Sequence, residues 1–132
     1  MTMVLTVRIG PTAALSDVEL DALRALFGAA WPDGRFTRLD FEHALGGVHF
    51  LVEDGGEIRS HASVVERELD ADGRRLRTGY VEAVATWPAH ERRGHASAAM
   101  RAAAEHIRAH FELGALSTGS APFYVRLGWL SL

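Results

Sequence analysis

The sequence predicts a single mixed α/β domain, and three observations support this fold class. The chain has 132 residues, of which 48% are hydrophobic, enough for one buried core. Two glycine-containing turns, at 54–56 and 70–73, separate three runs with the composition of strands, which predicts an antiparallel meander. An alanine-rich helical pattern after Gly94 is followed by a short apolar run, and such a crossover predicts one parallel strand pair.

Composition excludes several classes of protein. A formal charge of -3 argues against a nucleic-acid binder, which needs a basic face. The chain contains no Cys, so neither disulfides nor thiolate metal sites are expected. It lacks an apolar run long enough to span a membrane and a basic signal-peptide start. We therefore expect one cytoplasmic domain without a metal.

The first third of the chain predicts a strand and two helices. Residues Val4 to Ile9 have the composition of a short strand. Ser16 and Glu19 form a capping-box pattern, and the helix that follows ends at Pro32-Asp33-Gly34. Its apolar residues recur at helical spacing: Leu20, Leu23, Leu26, Phe27 and Trp31. Asp40 is expected to cap a second short helix that ends near Leu45.

The rest of the chain predicts four more strands, two helices and a final extended segment. Strands are expected at 48–53, 58–69 and 75–86, and a short one at 113–117. The helix after Gly94 has an apolar face made of Ala96, Ala99, Met100, Ala103, Ile107 and Phe111. Ser120-Ala121-Pro122 opens a last short helix, and Gly128-Trp129-Leu130 is expected to begin another extended segment.

The segment from Tyr80 to Met100 has the pattern of a phosphate-binding site. An apolar strand with one carboxylate, Glu82, leads through a charged loop into a helix. The first amides of a helix lack intrahelical partners, and the helix dipole favours an anion there. Gly94 allows close approach of the backbone, and Arg92 and Arg93 add positive charge. The GxxxxGK[ST] and GxGxxG nucleotide motifs are absent from the sequence.

This loop and several other segments resemble a known family. Glu91-Arg92-Arg93-Gly94-His95-Ala96 resembles the pyrophosphate loop of the GCN5-related N-acetyltransferases (GNAT), although Glu91 replaces their usual Gln or Arg. Further blocks, in the same order, are similar to aminoglycoside 2'-N-acetyltransferases: residues 40–47, 79–82, 92–94, 112–117, and Phe123-Tyr124 with Gly128-Trp129. The resemblance implies a GNAT-like fold that uses acetyl-CoA. Because members of that family continue past the Gly-Trp segment, we expect this chain to lack their C-terminal strands.

The resemblance also implies roles for individual residues. Glu82 matches the family's general base, and Tyr124 its general acid, which protonates the departing sulfur of coenzyme A. The Val84 N–H matches the backbone donor that polarises the thioester carbonyl. Glu82 and Tyr124 also have purely structural alternatives. Glu82 could be a carboxylate tied to a neighbouring Arg, and Tyr124 could be a packing residue. The expected coenzyme A contacts are Val84, Ala85, Arg92, Arg93, Gly94, His95, Ala96 and Ser97.

The acceptor is less well defined by the sequence. Aminoglycosides are polycations, and Asp40, Glu82 and Ser117 match substrate positions of the family, although Asp40 also fits a simple helix cap. Arg35 stands where the family tends to have an acidic residue. An aminoglycoside is the first expectation, followed by another small amine or polyamine, or an inactive relative that binds coenzyme A. A homodimer that covers Leu116, Phe123 and Trp129 is also expected, because the chain stops soon after Trp129.

Two histidine patterns are not expected to bind zinc. The run from His90 to His95 resembles HExxH, but its second His comes one residue too late to share a helix face with the first. His106 and His110 have the i, i+4 spacing of a helical ligand pair, but no third ligand accompanies them in the sequence.

Overall fold

The computed structural model describes residues 5–131 and confirms the mixed α/β fold. One five-stranded sheet has the order β1-β2-β3-β4-β5. Its first three strand pairs are antiparallel, and β4 and β5 run parallel, as the crossover pattern predicts. The strands are β1 (Leu5–Pro11), β2 (Val48–Asp54), β3 (Glu57–Ala71), β4 (Arg74–Thr86) and β5 (Leu113–Ala115).

In the described part of the chain, four α-helices accompany the sheet, together with short 3₁₀ turns at Thr12–Ala14 and Pro88–His90. Within residues 5–131, no helix is long and apolar enough to cross a membrane. Element boundaries lie within three residues of those predicted, and Val4, the predicted start of β1, lies outside the described residues. The helices are α1 (Asp17–Ala30), α2 (Arg38–Ala44), α3 (His95–His110) and α4 (Ala121–Arg126).

The helices cover both faces of the sheet and divide the core into two clusters. On one face, α3 packs Ala99, Met100, Ala103 and Ile107 against apolar side chains of β2, β3 and β4. On the other face, α1 and α2 pack Leu23, Leu26, Phe27 and Phe41 against Leu51 and Ala85. Alternate residues of β2 serve the two clusters, because side chains of a strand alternate between its faces. The sheet is therefore the middle layer of three.

The cap of α2 differs from the prediction. The capping box at Ser16 and Glu19 is present at α1, but α2 begins after Thr37, whose side chain accepts from the Asp40 N–H at 3.2 Å. Asp40 is the third helical residue, and its carboxylate accepts from the Thr37 N–H at 2.7 Å. The prediction that Asp40 is the N-cap is therefore wrong by three residues, because Asp40 closes the box from within the helix.

The end of the described chain also differs from the prediction. The β5 strand stops at Ala115 rather than at Ser117, and residues 128–130 form no strand. The Trp129 N–H instead donates to the Tyr124 carbonyl at 3.1 Å, which ends α4. The Trp129 ring packs against the α3 core cluster and lies beside Gly114, whereas Leu130 is 90% exposed. Helix capping and burial of the indole thus replace strand pairing.

The parallel pair of β4 and β5 is short, and its shape determines where a cleft can form. Within β4, only Thr78 to Tyr80 pair with β5. After Ala115, the segment that follows β5 diverges from β4. Gly79 lies opposite Gly114 in this ladder, and Ile107 of α3 lies against both. A Cβ at Gly79 would stand 2.9 Å from Ile107, so only glycine permits this approach of helix to sheet. From residue 81 onwards, one edge of β4 is left open.

Candidate active site

A cleft of about 1310 Å³ opens where β4 and β5 separate. One wall is the second half of β4, residues 80–86, and the floor includes the loop and first turn of α3. The opposite wall consists of residues 116–120 with Phe123 and Tyr124 of α4. The strand, loop and helix that the sequence singles out thus line one cavity.

A β-bulge interrupts β4 at the middle of this wall. His61 pairs with Ala85 and Ser63 pairs with Glu82, so β4 has one more residue than β3 between these pairs. Ala83 takes a left-handed conformation with φ of 52°, which is uncommon for a residue other than glycine. A bulge removes a residue from the regular ladder and re-aims the neighbouring peptide groups. Val84 follows directly and lines the cleft.

Glu82 lies in the cleft wall, where its carboxylate forms an ion pair with Arg67. Its Oε1 accepts a hydrogen bond from Arg67 Nη2 of β3 at 2.9 Å. The Arg67 guanidinium also stands over the Tyr80 ring, 5.3 Å from its centroid. The structure therefore contains the ion pair that the structural alternative for Glu82 requires. The carboxylate is 23% exposed, so a water molecule can still reach it from the cleft.

Tyr124 projects from α4 on the opposite wall and is half-buried. Burial raises the pKa of its hydroxyl above the ordinary value of 10, and a hydrogen bond with Thr118 opposes this shift in part. The hydroxyl is consequently protonated at neutral pH. A protonated phenol in a cleft can donate a proton to an anionic leaving group.

The loop before α3 has the geometry of an anion site. Arg92 and Gly94 are both left-handed, with φ of 64° and 81°, and such residues occur in concavities where backbone N–H groups converge. Gly94 occupies the N-cap position without a side-chain cap, and a Cβ there would meet no atom within 4 Å. The first amides of a helix of 16 residues thus remain available to a ligand.

The loop contacts a cluster of two arginines, Arg59 and Arg93, and two histidines, His90 and His95. His95 is 2% exposed, and its Nδ1 has no hydrogen-bond partner among residues 5–131. Burial lowers its pKa, and nearby His90, Arg59 and Arg93 act in the same direction. Arg59 and Arg93 each contact the His90 ring, and the buried Arg59 Nε also lacks a partner within the described chain. Arg59 Nε–H is a donor, and His95 Nδ1 is a donor in one of its two neutral tautomers, so both can serve a ligand with acceptor oxygens at this helix N-terminus.

Most of the residues that were expected to contact the ligands line the cleft, but Arg93 and Asp40 do not. Ser117, Arg92, Gly94 and the residues that follow it in the first turn of α3 line the cleft, as do Val84 and Ala85. Arg93 is not among the lining residues and turns to His90 instead. Asp40 does not line the cleft, because its carboxylate is held in the α2 cap. Arg35 does line it, paired with Asp33 at 2.6 Å.

Sequence reasoning missed several polar residues around the site. Arg67 and Arg59 lie on β3, and their contacts with Glu82 and His90 depend on strand register. The buried pair His49 and His61 lies behind the bulge, on the face that α1 covers. Arg59, His61 and Ser63 recur at period two, which places polar side chains on one face of a strand, and this pattern could have drawn attention to that face.

Comparison with known proteins agrees with this fold. A family profile described as an acetyltransferase (GNAT) domain matches residues 14–131. An aminoglycoside 2'-N-acetyltransferase of Mycolicibacterium fortuitum is 37% identical over 127 residues. That alignment covers 95% of this chain, but the chain spans only 65% of the length of that curated relative.

Solved structures show the same fold. A Trypanosoma brucei acetyltransferase superposes with a TM-score of 0.70 at 21% identity, covering 97% of this chain and 94% of that one. An aminoglycoside N-acetyltransferase in complex with CoA superposes with a TM-score of 0.73 at 18% identity, covering 99% and 91%. The profile match over most of the chain and the 37% identical relative together show that this chain belongs to the acetyltransferase (GNAT) family.

Proposed function

We propose that this chain transfers the acetyl group of acetyl-CoA to an amine of a small cationic acceptor, with the 2'-amino group of an aminoglycoside as the first candidate. The observation that carries the proposal is that a bulged strand, a protonated tyrosine and an uncapped helix N-terminus line one cleft. The 37% identical aminoglycoside 2'-N-acetyltransferase supports the choice of acceptor.

The coenzyme A end of the cleft fits a polyanion. The amides after Gly94 and the side chain of Arg92 can bind phosphate oxygens, and Arg101 lines the cleft one helical turn further on. The neutral, unpartnered His95 lies in the same turn and adds a further hydrogen-bonding group. The thioester that enters this site supplies an activated acyl carbon, which is the chemistry the chain itself lacks.

The transfer requires one bond to form, one to break and one proton to move at each end. The amine nitrogen forms a C–N bond with the acyl carbon, and the C–S bond then breaks. In this proposal, Glu82 receives the amine proton through water, and the Val84 N–H stabilises the negative charge on the carbonyl oxygen. Tyr124 gives its proton to the departing thiolate and is later reprotonated from solvent.

The Arg67–Glu82 pair provides a test of the base. Glu82→Gln should lower kcat/KM across the pH range and change the shape of the pH–rate profile, because an amide cannot accept the amine proton. Arg67→Met removes the partner of the carboxylate but keeps the carboxylate itself, so it should retain more of the wild-type kcat/KM than Glu82→Gln. The measurement is kcat/KM from pH 5 to 9 for both variants and the wild type. A Glu82→Gln protein with the wild-type profile would exclude Glu82 as the base.

The charges of the cleft favour a second candidate acceptor. Among the described residues, Arg35, Arg92, Arg101 and Arg126 line the cleft, against the two carboxylates of Glu82 and Glu91. Coenzyme A phosphates can compensate the arginines near α3. Arg35 lies at the far end, beside the stacked rings of Trp31 and Phe36, and Asp33 pairs with it, so the pair gives this end no net negative charge to attract a polycation. An amine with fewer positive charges than an aminoglycoside would suit that end better.

A turnover assay decides between these acceptors. Release of the free coenzyme A thiol should be followed with acetyl-CoA and, in turn, aminoglycosides, linear polyamines, monoamines and a lysine peptide. We expect release above the acceptor-free rate, with the highest kcat/KM for an aminoglycoside, and acetylation at one amine by mass spectrometry and NMR. Higher kcat/KM for a monoamine would support the second candidate. No acceptor-dependent release from any class would overturn the proposed function.

The homodimer stays a prediction. Leu116, Phe123 and Trp129, which were expected to lie beneath a second copy, pack against the protein's own α3 core cluster. Beside them, Val125 and Leu130 are 50% and 90% exposed and remain candidates for a contact with another copy. Light scattering at micromolar concentration should give twice the monomer mass, and a clean monomer would contradict the prediction.

A further inference from the structure

A continuous chain of hydrogen bonds runs from the end of β1 to the bulge in β4. The Gly46 N–H donates to Thr12 Oγ1 at 2.9 Å, and Thr12 Oγ1 lies 2.7 Å from His49 Nε2. His49 Nδ1 lies 2.8 Å from His61 Nε2. His61 Nδ1 lies 2.7 Å from the carbonyl oxygen of Ala83. The two imidazoles are 1% and 0% exposed, so solvent does not compete for these contacts.

The carbonyl at the end of this chain fixes the direction of every hydrogen bond in it. A carbonyl oxygen can only accept, so His61 carries its proton on Nδ1 and its Nε2 accepts from His49 Nδ1–H. His49 Nε2 then accepts from the Thr12 hydroxyl, which in turn accepts from Gly46. Burial lowers the pKa of His49 to about 4 and that of His61 to about 3, so both rings are neutral at physiological pH. A single arrangement of protons satisfies all four contacts.

This series of hydrogen bonds does not move protons to the cleft, because a backbone carbonyl cannot take up and release one. It can instead hold the Ala83 carbonyl in one orientation. Ala83 is the left-handed residue of the bulge, and its carbonyl belongs to the same peptide unit as the Val84 N–H. A peptide unit is planar and trans, so its C=O and N–H point in opposite directions.

We propose that His61 is a positioning residue, which holds the Ala83–Val84 peptide so that its N–H is presented to the cleft as the oxyanion donor. His61 binds the carbonyl on the face that α1 covers, where its ring lies 5.1 Å from that of Phe27. The N–H of the same unit therefore points away from His61, on the side where Val84 lines the cleft. The inference rests on the proposed function, because it assigns a task to the Val84 N–H.

The contact does more than fix a direction. A hydrogen bond to the oxygen of a peptide polarises its N–H, which makes that N–H a stronger donor. His49 and Thr12 in turn fix the tautomer of His61, because they hold its Nε2 as an acceptor. Without them, the ring could place its proton on Nε2 and turn a lone pair towards the Ala83 oxygen, which would repel it. Four residues distant in sequence thus maintain one peptide orientation.

Two amide side chains separate the roles of the two ring nitrogens. In His61→Asn, the amide NH₂ stands near the place of Nδ1 and can still donate to the Ala83 oxygen. In His61→Gln, the longer amide reaches the place of Nε2 and can still accept from His49, but no donor remains near Ala83. His106→Gln is the control for loss of a partly buried imidazole, since the His106 ring lies at the flank of α3, 5.5 Å from the ring of Phe50, and does not line the cleft.

We expect kcat to fall by about tenfold to a hundredfold in His61→Gln, near the lower range for loss of one oxyanion donor. His61→Asn should retain most of the wild-type kcat, and His106→Gln nearly all of it. The dissociation constant of free coenzyme A, which has no acetyl carbonyl, should not change in any of them. Equal kcat values for folded His61→Asn and His61→Gln would overturn the inference, whether both are active or both inactive.

An NMR readout keeps this test separate from the proposed function. In ¹⁵N-labelled protein, acetyl-CoA should move the Val84 amide resonance more than coenzyme A does. This difference should persist in His61→Asn and disappear in His61→Gln. If the wild type acetylates no amine, the proposed function fails, but the amide shifts still report on His61. If turnover is present and the Val84 shift is the same in both variants, only the positioning role is overturned.

Discussion

At the scale of single residues, the cleft walls carry groups of complementary chemistry. The β4 wall offers a carboxylate and a re-aimed peptide, and the α4 wall offers the protonated hydroxyl of Tyr124. In the proposed mechanism neither wall could complete acyl transfer alone, because proton acceptance from the amine and proton donation to the thiolate occur at opposite ends of the reacting centre. Their value depends on the two walls being held on either side of the same opening.

The Tyr124 hydroxyl is the first test at this scale. Tyr124→Phe should lower kcat by roughly tenfold to a thousandfold, which overlaps the lower part of the usual contribution of one proton-transfer group, about a hundredfold to ten-thousandfold. Because burial raises the pKa of Tyr124 above 10, the wild type should keep its rate well into the alkaline range. The measurement is thiol release from pH 6 to 10.5.

Tyr80→Phe is the matched control for Tyr124→Phe. Tyr80 lines the same cleft and is the only other tyrosine of the chain, but it is assigned no proton transfer. We expect its loss of a hydroxyl to change kcat little. Comparable losses in the two variants would show that cleft packing, rather than proton donation, explains the effect of Tyr124→Phe.

At the scale of elements, short helices and loops depend on their ends. The α2 cap uses both Thr37 and Asp40, so each should contribute about 0.5–2 kcal/mol to the free energy of unfolding, the usual range for helix caps. We expect Thr37→Ala and Asp40→Ala to destabilise the protein by similar amounts, as measured by chemical denaturation.

The same two variants test whether Asp40 also contacts the acceptor. If Asp40 is only part of the cap, both variants should have the same KM for a cationic acceptor. The resemblance to aminoglycoside acetyltransferases instead predicts a higher KM in Asp40→Ala alone. Thr37→Ala separates the two effects, because it breaks the same capping box without removing a charge.

The loop before α3 is tested at Gly94. Gly94→Val should weaken the binding of coenzyme A sharply, because it places a branched side chain on the backbone that receives the anion. Gly56→Val is the control, since Gly56 has nearly the same φ, 82° against 81°, and lies in the β2–β3 turn away from the cleft. Calorimetry that finds equal affinities in the two folded variants would contradict an anion site at Gly94.

The elements also show which features of this protein can be predicted from sequence. The Ser16–Glu19 cap, the βαβ crossover and the segment 80–100 depend on residues close together in the chain, so local patterns were enough. Arg67 reaches Glu82 only because two long strands pair with a particular register. The pattern places the N-cap of α2 at Asp40, because Asp is a favoured N-cap residue, but Thr is favoured there as well, and the structure has Thr37 accepting from the Asp40 N–H.

At the scale of the whole molecule, the buried histidines make stability depend on pH. The pKa values of His49 and His61 fall from 6.5 to about 4 and about 3 on folding, because burial disfavours the charged rings. Below pH 6.5 the two histidines are therefore protonated in the unfolded chain but stay largely neutral in the folded chain until the pH nears their lowered pKa values. Stability is fully present above pH 6.5 and is lost on acidification, by up to about 1.4 kcal/mol per pH unit for each histidine.

Denaturation at pH 7.5, 6.5, 5.8 and 5.0 measures this dependence without titrating most carboxylates. We expect a smaller loss of stability over this range in His61→Asn than in the wild type, because the variant lacks one histidine that is protonated only in the unfolded chain. His95 and His106, whose pKa values burial also lowers, contribute equally to both proteins. The same loss in both proteins would mean that His61 does not titrate on unfolding.

The glycine pair at the start of the cleft has a consequence for which molecules can enter. Gly79 and Gly114 lie where the two walls meet, and from there the space widens like a wedge as β4 and the residues after β5 diverge. In a wedge, depth of entry is limited by width. A thin, flexible ligand can lie along the narrow end, whereas a bulky ring system is stopped nearer the mouth and can only extend an arm inward. Shape therefore favours a thin ligand at the narrow end of the cleft and a bulkier one at its mouth.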